Sequence, residues 1–158
     1  ASGDVDARLL DLLLQEPFFA LPPPKSTGRE LFNRAWLQKK LDQQAAAVAD
    51  VQATLCEFTA ATIASAIAGA GLAPSQLLVC GGGAFNGELM RRLAARMPGV
   101  PVRHTGTAGI PPEQVEAALC AWLAHQFITG RPGNLVSVTG ARGPRVLGAL
   151  HRGGVTET

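Results

Sequence analysis

Three glycines in succession, Gly81-Gly82-Gly83, follow the apolar run Leu77-Leu78-Val79-Cys80 and lead into Ala84-Phe85-Asn86. A strand that stops at a glycine run and turns into a helix lets backbone approach a ligand with no Cβ in the way. It also aims N–H groups at whatever lies over the helix N-terminus, often a phosphate or a nucleotide ribose. The spacing is neither the G-x-G-x-x-G dinucleotide fingerprint nor a Walker A loop, because no Lys-Ser/Thr follows a four-residue gap. Two readings therefore stand side by side: a nucleotide seat, and a tight strand-to-helix turn. Asn86 suits either, as a ligand contact or as the N-cap of the helix that follows.

Glu116 is the second group of interest. It lies in the opening turn of an apolar helix, and Ala117-Ala118-Leu119 after it lead us to expect its side to face packed structure. A carboxylate there could order a sugar hydroxyl or an attacking water. The plainer alternative is a solvated carboxylate favoured by the helix dipole, a role that Glu113 in the same turn fills as well. Lys25 could meet a phosphate or simply be solvated beside the proline-rich connector. Thr139-Gly140 could approach a ligand or form an ordinary turn. His104 ends a strand but has no Ser or carboxylate partner in a readable motif. No two carboxylates are spaced as a catalytic pair, and there is no phosphate loop of the Asp-x-Gly-x-Thr kind. His and Cys are not clustered, so no metal site is expected.

Position depends on the elements. Val5, Leu9, Leu12 and Leu13 share a face of a short helix over 4–15. Pro17 ends it, and Leu21-Pro22-Pro23-Pro24 reads as an extended connector. Thr27 with Glu30 has capping-box spacing and predicts a helix running to about Leu41, with Leu31, Phe32, Ala35 and Trp36 as its apolar side. A long helix is expected over 43–69, closed by Gly69 and Gly71. A strand over 76–80, a helix over 86–96, a strand over 100–104 and a helix over 112–128 follow. The last of these helices turns Val115, Leu119, Trp122 and Leu123 inward. Residues 130–143 read as loop, and 146–150 as a final short strand. The order predicts an α/β layer, a small sheet flanked by helices.

A chain of 158 residues is one domain by size. Its 47% hydrophobic and 16% charged residues suit a packed interior and argue against disorder. The net charge of +2 is scattered, with no basic stripe, so nucleic acid is not an expected partner. Cys56, Cys80 and Cys120 stand apart in apolar sequence with no C-x-x-C, which fits buried thiols in a reducing, cytoplasmic setting. Residues 1–14 carry three aspartates and are unlike a signal peptide. The alanine-rich stretch at 45–70 is broken by polar groups and reads as a buried helix, not a membrane span. Ala1-Ser2-Gly3 has no starting Met, and a piece of a larger protein is expected.

Four stretches together resemble the anhydro-N-acetylmuramic acid kinases. They are Pro23-Pro24-Lys25-Ser26-Thr27-Gly28-Arg29-Glu30-Leu31-Phe32-Asn33, Val79-Cys80-Gly81-Gly82-Gly83-Ala84-x-Asn86, Gly109-Ile110-x-Pro112-x-x-x-Glu116-Ala117, and Asn134-Leu135-x-Ser137-Val138-Thr139-Gly140-Ala141. That resemblance implies a two-lobed fold of the actin/hexokinase/Hsp70-like ATPase superfamily (ribonuclease H-like), of which this chain would be the C-terminal lobe. It implies a bacterial, cytoplasmic enzyme of peptidoglycan recycling. Such an enzyme opens the 1,6-anhydro ring of anhydro-N-acetylmuramic acid with water and phosphorylates the freed 6-oxygen from ATP with Mg²⁺. By the same resemblance Gly81, Gly82, Gly83 and Asn86 would lie against the nucleotide, and Glu116 would help orient the water. The phosphate loops and general-base aspartate would belong to a missing N-terminal lobe, so the 158 residues alone are expected to be inactive. The full-length enzyme would be a homodimer. Phe85 and the Thr105-Gly106-Thr107-Ala108 loop depart from the family pattern, where a polar residue and a more acidic loop are commoner. The rival expectation is a non-catalytic α/β module that binds a nucleotide or a partner.

Overall fold

The computed structural model describes residues 3–151; the expectation drawn from Ala1 and Ser2 lies outside them. The elements are α1 (Ala7–Leu14), α2 (Arg34–Leu41), α3 (Val48–Gly69), β1 (Leu77–Val79), α4 (Gly87–Arg96), β2 (Val102–His104), α5 (Val115–Ile128) and the single turn α6 (Val136–Thr139). Short 3-10 turns at Gly82–Phe85, Thr105–Ala108 and Pro112–Gln114 join them. The chain is α/β, mostly helical, with one two-stranded sheet. β1 and β2 run parallel, Leu77 opposite Val102 and Val79 opposite His104, with α4 as the crossover.

Two compact units are present. Among the described residues, the first runs to Pro22 and again from Ser26 to Val115. Its centre is α3, which packs against α1 on one side and α4 on the other. Leu9 and Leu13 of α1 are fully buried and meet Val51 and Phe58 of α3. Phe19, Phe32, Trp36 and Phe58 extend that core as a set of edge-on and stacked rings, with centroids 5.0 to 6.4 Å apart. Ala53, Ala60 and Ala61 of α3 are buried too, as are Leu93 of α4 and Met97 just past its end. α3 is long and apolar enough to cross a membrane by length and composition, with mean hydropathy 1.3. Here its N-terminal half is enclosed by its two neighbours.

Local chemistry sets the helix starts. The Asp6 carboxylate accepts from the Arg8 and Leu9 N–H groups at 2.9 and 3.0 Å and opens α1. The Leu9 N–H above all holds that carboxyl below its usual range. The capping box expected at Thr27 does not form. Glu30 instead accepts from the Gly28 N–H within its own loop at 2.6 Å, and α2 begins only after Asn33. The Asn33 side chain accepts from the Trp36 N–H at 2.9 Å, so this shorter polar side chain takes the cap. The long helix starts at Val48, later than expected, and both strands are shorter than their apolar runs.

The second unit is Pro23–Lys25 together with the chain from Glu116 on. Leu123, Phe127 and Leu147 give it a small apolar centre beside Gly133 and Gly148. No strand forms at 146–150. The segment before it is tied instead by Gly133 N–H to the Arg145 carbonyl at 2.9 Å, and by Arg145 N–H to the Asn134 side chain at 2.7 Å. α6 is an unexpected helical turn in the predicted loop, closed by Gly140 at φ +68°. A Cβ on Gly140 would sit 3.0 Å from Cγ of Pro24, so the two outer motifs of the chain touch there.

Candidate functional site

The glycine turn leaves β1 through Cys80 and folds back into α4. Gly81 has φ +70° and ψ −169°, a backbone state reserved for glycine. Its N–H donates to the Pro112 carbonyl at 2.9 Å, which pins the start of the turn. Gly82–Phe85 then makes one 3-10 turn, in which Ala84 N–H reaches the Gly81 carbonyl and Asn86 N–H the Gly83 carbonyl. The opening N–H groups of a helical turn have no acceptor within the turn itself. Those groups here belong to Gly82 and Gly83.

The space around the turn bears on what the glycines do. A Cβ on Gly82 would meet no atom within 4 Å, and one on Gly83 would only touch Leu89 Cδ2 at 3.4 Å. Gly82 is exposed, and packing within the chain does not call for its missing side chain. Beside the turn runs an open cleft of about 270 Å³ lined by Gln52, Leu55, Cys56 and Thr59 of α3 and by Asn86 and Leu89. The turn thus presents bare backbone next to a cleft of mixed polarity. Asn86 has a clear structural task as well, accepting from the Leu89 N–H at 3.1 Å to cap α4.

Ion pairs tie α3 to α4 and run along α4 itself. Glu57 of α3 pairs with Arg92 and Arg96 of α4, and Glu88 pairs with Arg91 and Arg92. Burial works against the Glu57 charge, but hydrogen bonds from Arg92 and Arg96 win and hold its carboxyl below the ordinary range. The Arg91 hydrogen bond brings Glu88 down to about 2. Arg92 Nε lies 2.7 Å from Glu88 Oε1, close enough for an ion pair but misaligned for a hydrogen bond.

Of the residues singled out in the sequence, Gly81, Gly82, Gly83 and Asn86 come together in one turn. Glu116 belongs to the second unit and is exposed, contrary to the expectation that its side faces packed structure. Leu119 and Trp122, expected inward, are 52% and 48% exposed. Within its own unit α5 sets Leu123 beside Gly133 and Phe127 beside Gly148, and its Gln126 amide donates to the Pro132 carbonyl at 3.1 Å. Cys80 and Cys120 are exposed and Cys56 half-buried, so the thiols are not the buried set expected. Burial pushes the Cys56 thiol up. No group of three or more His, Cys, Asp or Glu placed to hold a metal occurs among the described residues. One polar group was invisible in the sequence: Thr105 Oγ1 is sealed from solvent with no hydrogen-bond partner among the described residues.

Fold and turn thus define an α/β protein built on a strand–glycine turn–helix unit. The family model for anhydro-N-acetylmuramic acid kinase matches residues 1–153, and the chain belongs to that family. It is 54% identical over 151 residues to the anhydro-N-acetylmuramic acid kinase of Xanthomonas campestris pv. campestris, covering 96% of this chain and 40% of that protein. Against the kinases of Xylella fastidiosa and Cupriavidus pinatubonensis it is 52% and 51% identical, with 96% of this chain covered in each case and 40% and 41% of theirs. The chain therefore spans about 40% of the length of the curated relatives it matches.

Proposed function

We propose that this chain is the C-terminal, nucleotide-side lobe of a two-lobed, actin-like sugar kinase. The kinase opens the 1,6-anhydro ring of anhydro-N-acetylmuramic acid with water and phosphorylates the freed 6-oxygen from ATP. The observation that carries the nucleotide half is the open space at Gly82: no described residue lies within 4 Å of a Cβ placed there, while a ligand lying on the turn would meet one. Gly82 and Gly83 offer N–H donors to the adenosine and α-phosphate side, and the cleft past Asn86 takes the rest of the nucleoside. ATP supplies the phosphoryl group, and Mg²⁺ offsets its charge. The described residues of this chain offer no carboxylate set for the metal, so its ligands are assigned to the phosphates and to the remainder of the relatives' length.

Glu116 is assigned to the sugar side as the group that orients the attacking water. Its exposure supports this, since a carboxylate must be open to a substrate that arrives from solvent. Phosphoryl transfer rests on positioning and charge stabilisation from several loops, and a segment of this length supplies only part of them. By itself the chain is expected to release no sugar phosphate. The test is a chimera in which this chain replaces the matching 151-residue region of the Xanthomonas campestris kinase. ATP-dependent phosphorylated, ring-opened sugar is read by mass spectrometry. Turnover by the chimera, lowered by Glu116→Gln, supports the assignment. A folded chimera that binds no ATP would overturn it in favour of a non-catalytic module.

A further inference from the structure

We infer that the exposed sides of α5 are the seat of the part of the kinase polypeptide outside the matched region, resting on the reading of this chain as one lobe of a two-lobed enzyme. No Asp, Glu, Lys or Arg occurs from Ala117 to Gly130. The shorter α4 carries Glu88, Arg91, Arg92 and Arg96, the composition of a helix with a solvated side. On α5, Leu123 and Phe127 are four residues apart and take the side that meets Gly133 and Gly148 of its own unit. Ala117, Ala121, Ala124 and Ile128 follow one another at three- and four-residue spacing along a second side, and all four are exposed. Leu119 and Trp122 stand on a third, 52% and 48% exposed. A helix that is apolar on every side is a helix enclosed by neighbours.

The relatives have such a neighbour to supply. Aligned over 96% of its own length, this chain spans 40% of the Xanthomonas campestris kinase, so most of that polypeptide lies elsewhere. Glu116, assigned above to the sugar, lies in the first turn of α5, and Leu119 follows one turn later. Whatever completes the sugar site therefore arrives beside the uncharged length of the same helix. A second copy is a poorer fit. An isologous pairing sets one patch against itself, and α5 has two open sides to cover. The covering surface has to be apolar as well, since a charge set against Ala121 would lose its water with no partner to replace it. Alanine lets the neighbour's backbone come close, and Trp122 supplies the large ring that anchors such contacts.

The chimera described above tests this with a photoreactive benzoylphenylalanine in place of Trp122. Equal amounts of chimera carrying light and heavy nitrogen are mixed and irradiated, and cross-linked peptides are read by mass spectrometry. Cross-links should join position 122 to residues outside the 151-residue region, both peptides carrying the same isotope. Links between light and heavy chains would put a second copy on the helix and overturn the inference. Links confined to the 158 residues, or none at all, would overturn it too. A second variant reads the same helix without a probe. Ala121→Glu should leave the unfolding temperature of the dilute 158-residue chain unchanged and lower that of the chimera by several degrees. An equal effect in both, or in neither, would refute the assignment. Neither readout needs a nucleotide: a chimera that cross-links but binds no ATP removes the nucleotide reading and keeps this one, and one that binds ATP without cross-linking does the reverse.

Discussion

Gly81 and Gly82 are neighbours with opposite reasons for being glycine, and alanine or valine in each place separates backbone need from ligand need. At Gly81 a new Cβ would touch nothing, so the whole penalty is conformational. With φ at +70° and ψ at −169° that penalty is of order 1–3 kcal/mol. Taking about 2 kcal/mol, the unfolding temperature of Gly81→Ala should fall by about 4–8 °C for a chain of this size. At Gly82 the side chain would enter open space from an ordinary backbone state. Gly82→Val should therefore stay within about 0.5 kcal/mol of the original stability. Its isopropyl group would occupy the place the ligand needs, and MgATP affinity should fall at least about a hundredfold, or about 2.7 kcal/mol. Thermal unfolding followed by circular dichroism and calorimetric titration with MgATP give the two numbers. If Gly82→Val melts as low as Gly81→Ala, or binds MgATP as the original chain does, the glycines serve the turn and the ligand argument is refuted.

Asn86→Ala removes the cap of α4 and should cost about 1 kcal/mol, read as a lower urea midpoint; a larger loss of MgATP affinity than Gln52→Ala gives would mark a direct ligand contact. Acid should weaken the first unit with a defined sign. The Glu88 carboxyl sits at about 2 in the folded chain against an ordinary 4.5, and Glu57 shifts the same way. The unfolded chain therefore takes up protons first. This stabilisation is present above about 4.5 and is lost as pH falls toward about 2, so urea midpoints of Glu88→Gln should vary less over that range. Glu57→Ala leaves Arg92, whose side chain is only 11% exposed, without its α3 partner and should cost about 2 kcal/mol. With Leu119, Trp122 and Ile128 open on α5, the isolated chain should self-associate; light scattering at high concentration checks this, and Trp122→Ser should reduce it.

Much of the first unit was legible because its signals are local. The run Leu77-Leu78-Val79, the glycines and Asn86 specify strand, turn and cap from adjacent residues, and α4 ends within a residue of its expected bound. The misses share one cause, a choice made by residues outside the window. Thr27 and Glu30 have capping spacing, but Glu30 found a nearer N–H at Gly28. Val146–Leu150 has strand composition, but a strand needs a partner, and the Asn134 side chain holds that stretch through Arg145 instead. Periodicity placed Leu119 and Trp122 on an apolar helix without saying what would cover them. Thr105 gave no signal, since an orphaned hydroxyl is a property of its surroundings and not of its letter.

The bond from the Gly81 N–H to the Pro112 carbonyl has a consequence for how the chain can be divided. The glycine turn is written in five or six consecutive letters, yet its first hinge is fixed by a carbonyl from beyond α4 and β2. A shorter piece ending anywhere from 86 to 111 would keep every glycine and lose the anchor. During synthesis the same holds in time: the Gly81 N–H meets this acceptor only after Pro112 has been added. The smallest stretch that carries the turn with its anchor therefore runs from β1 through Pro112, and grafting the glycine motif alone would move the letters without the anchor.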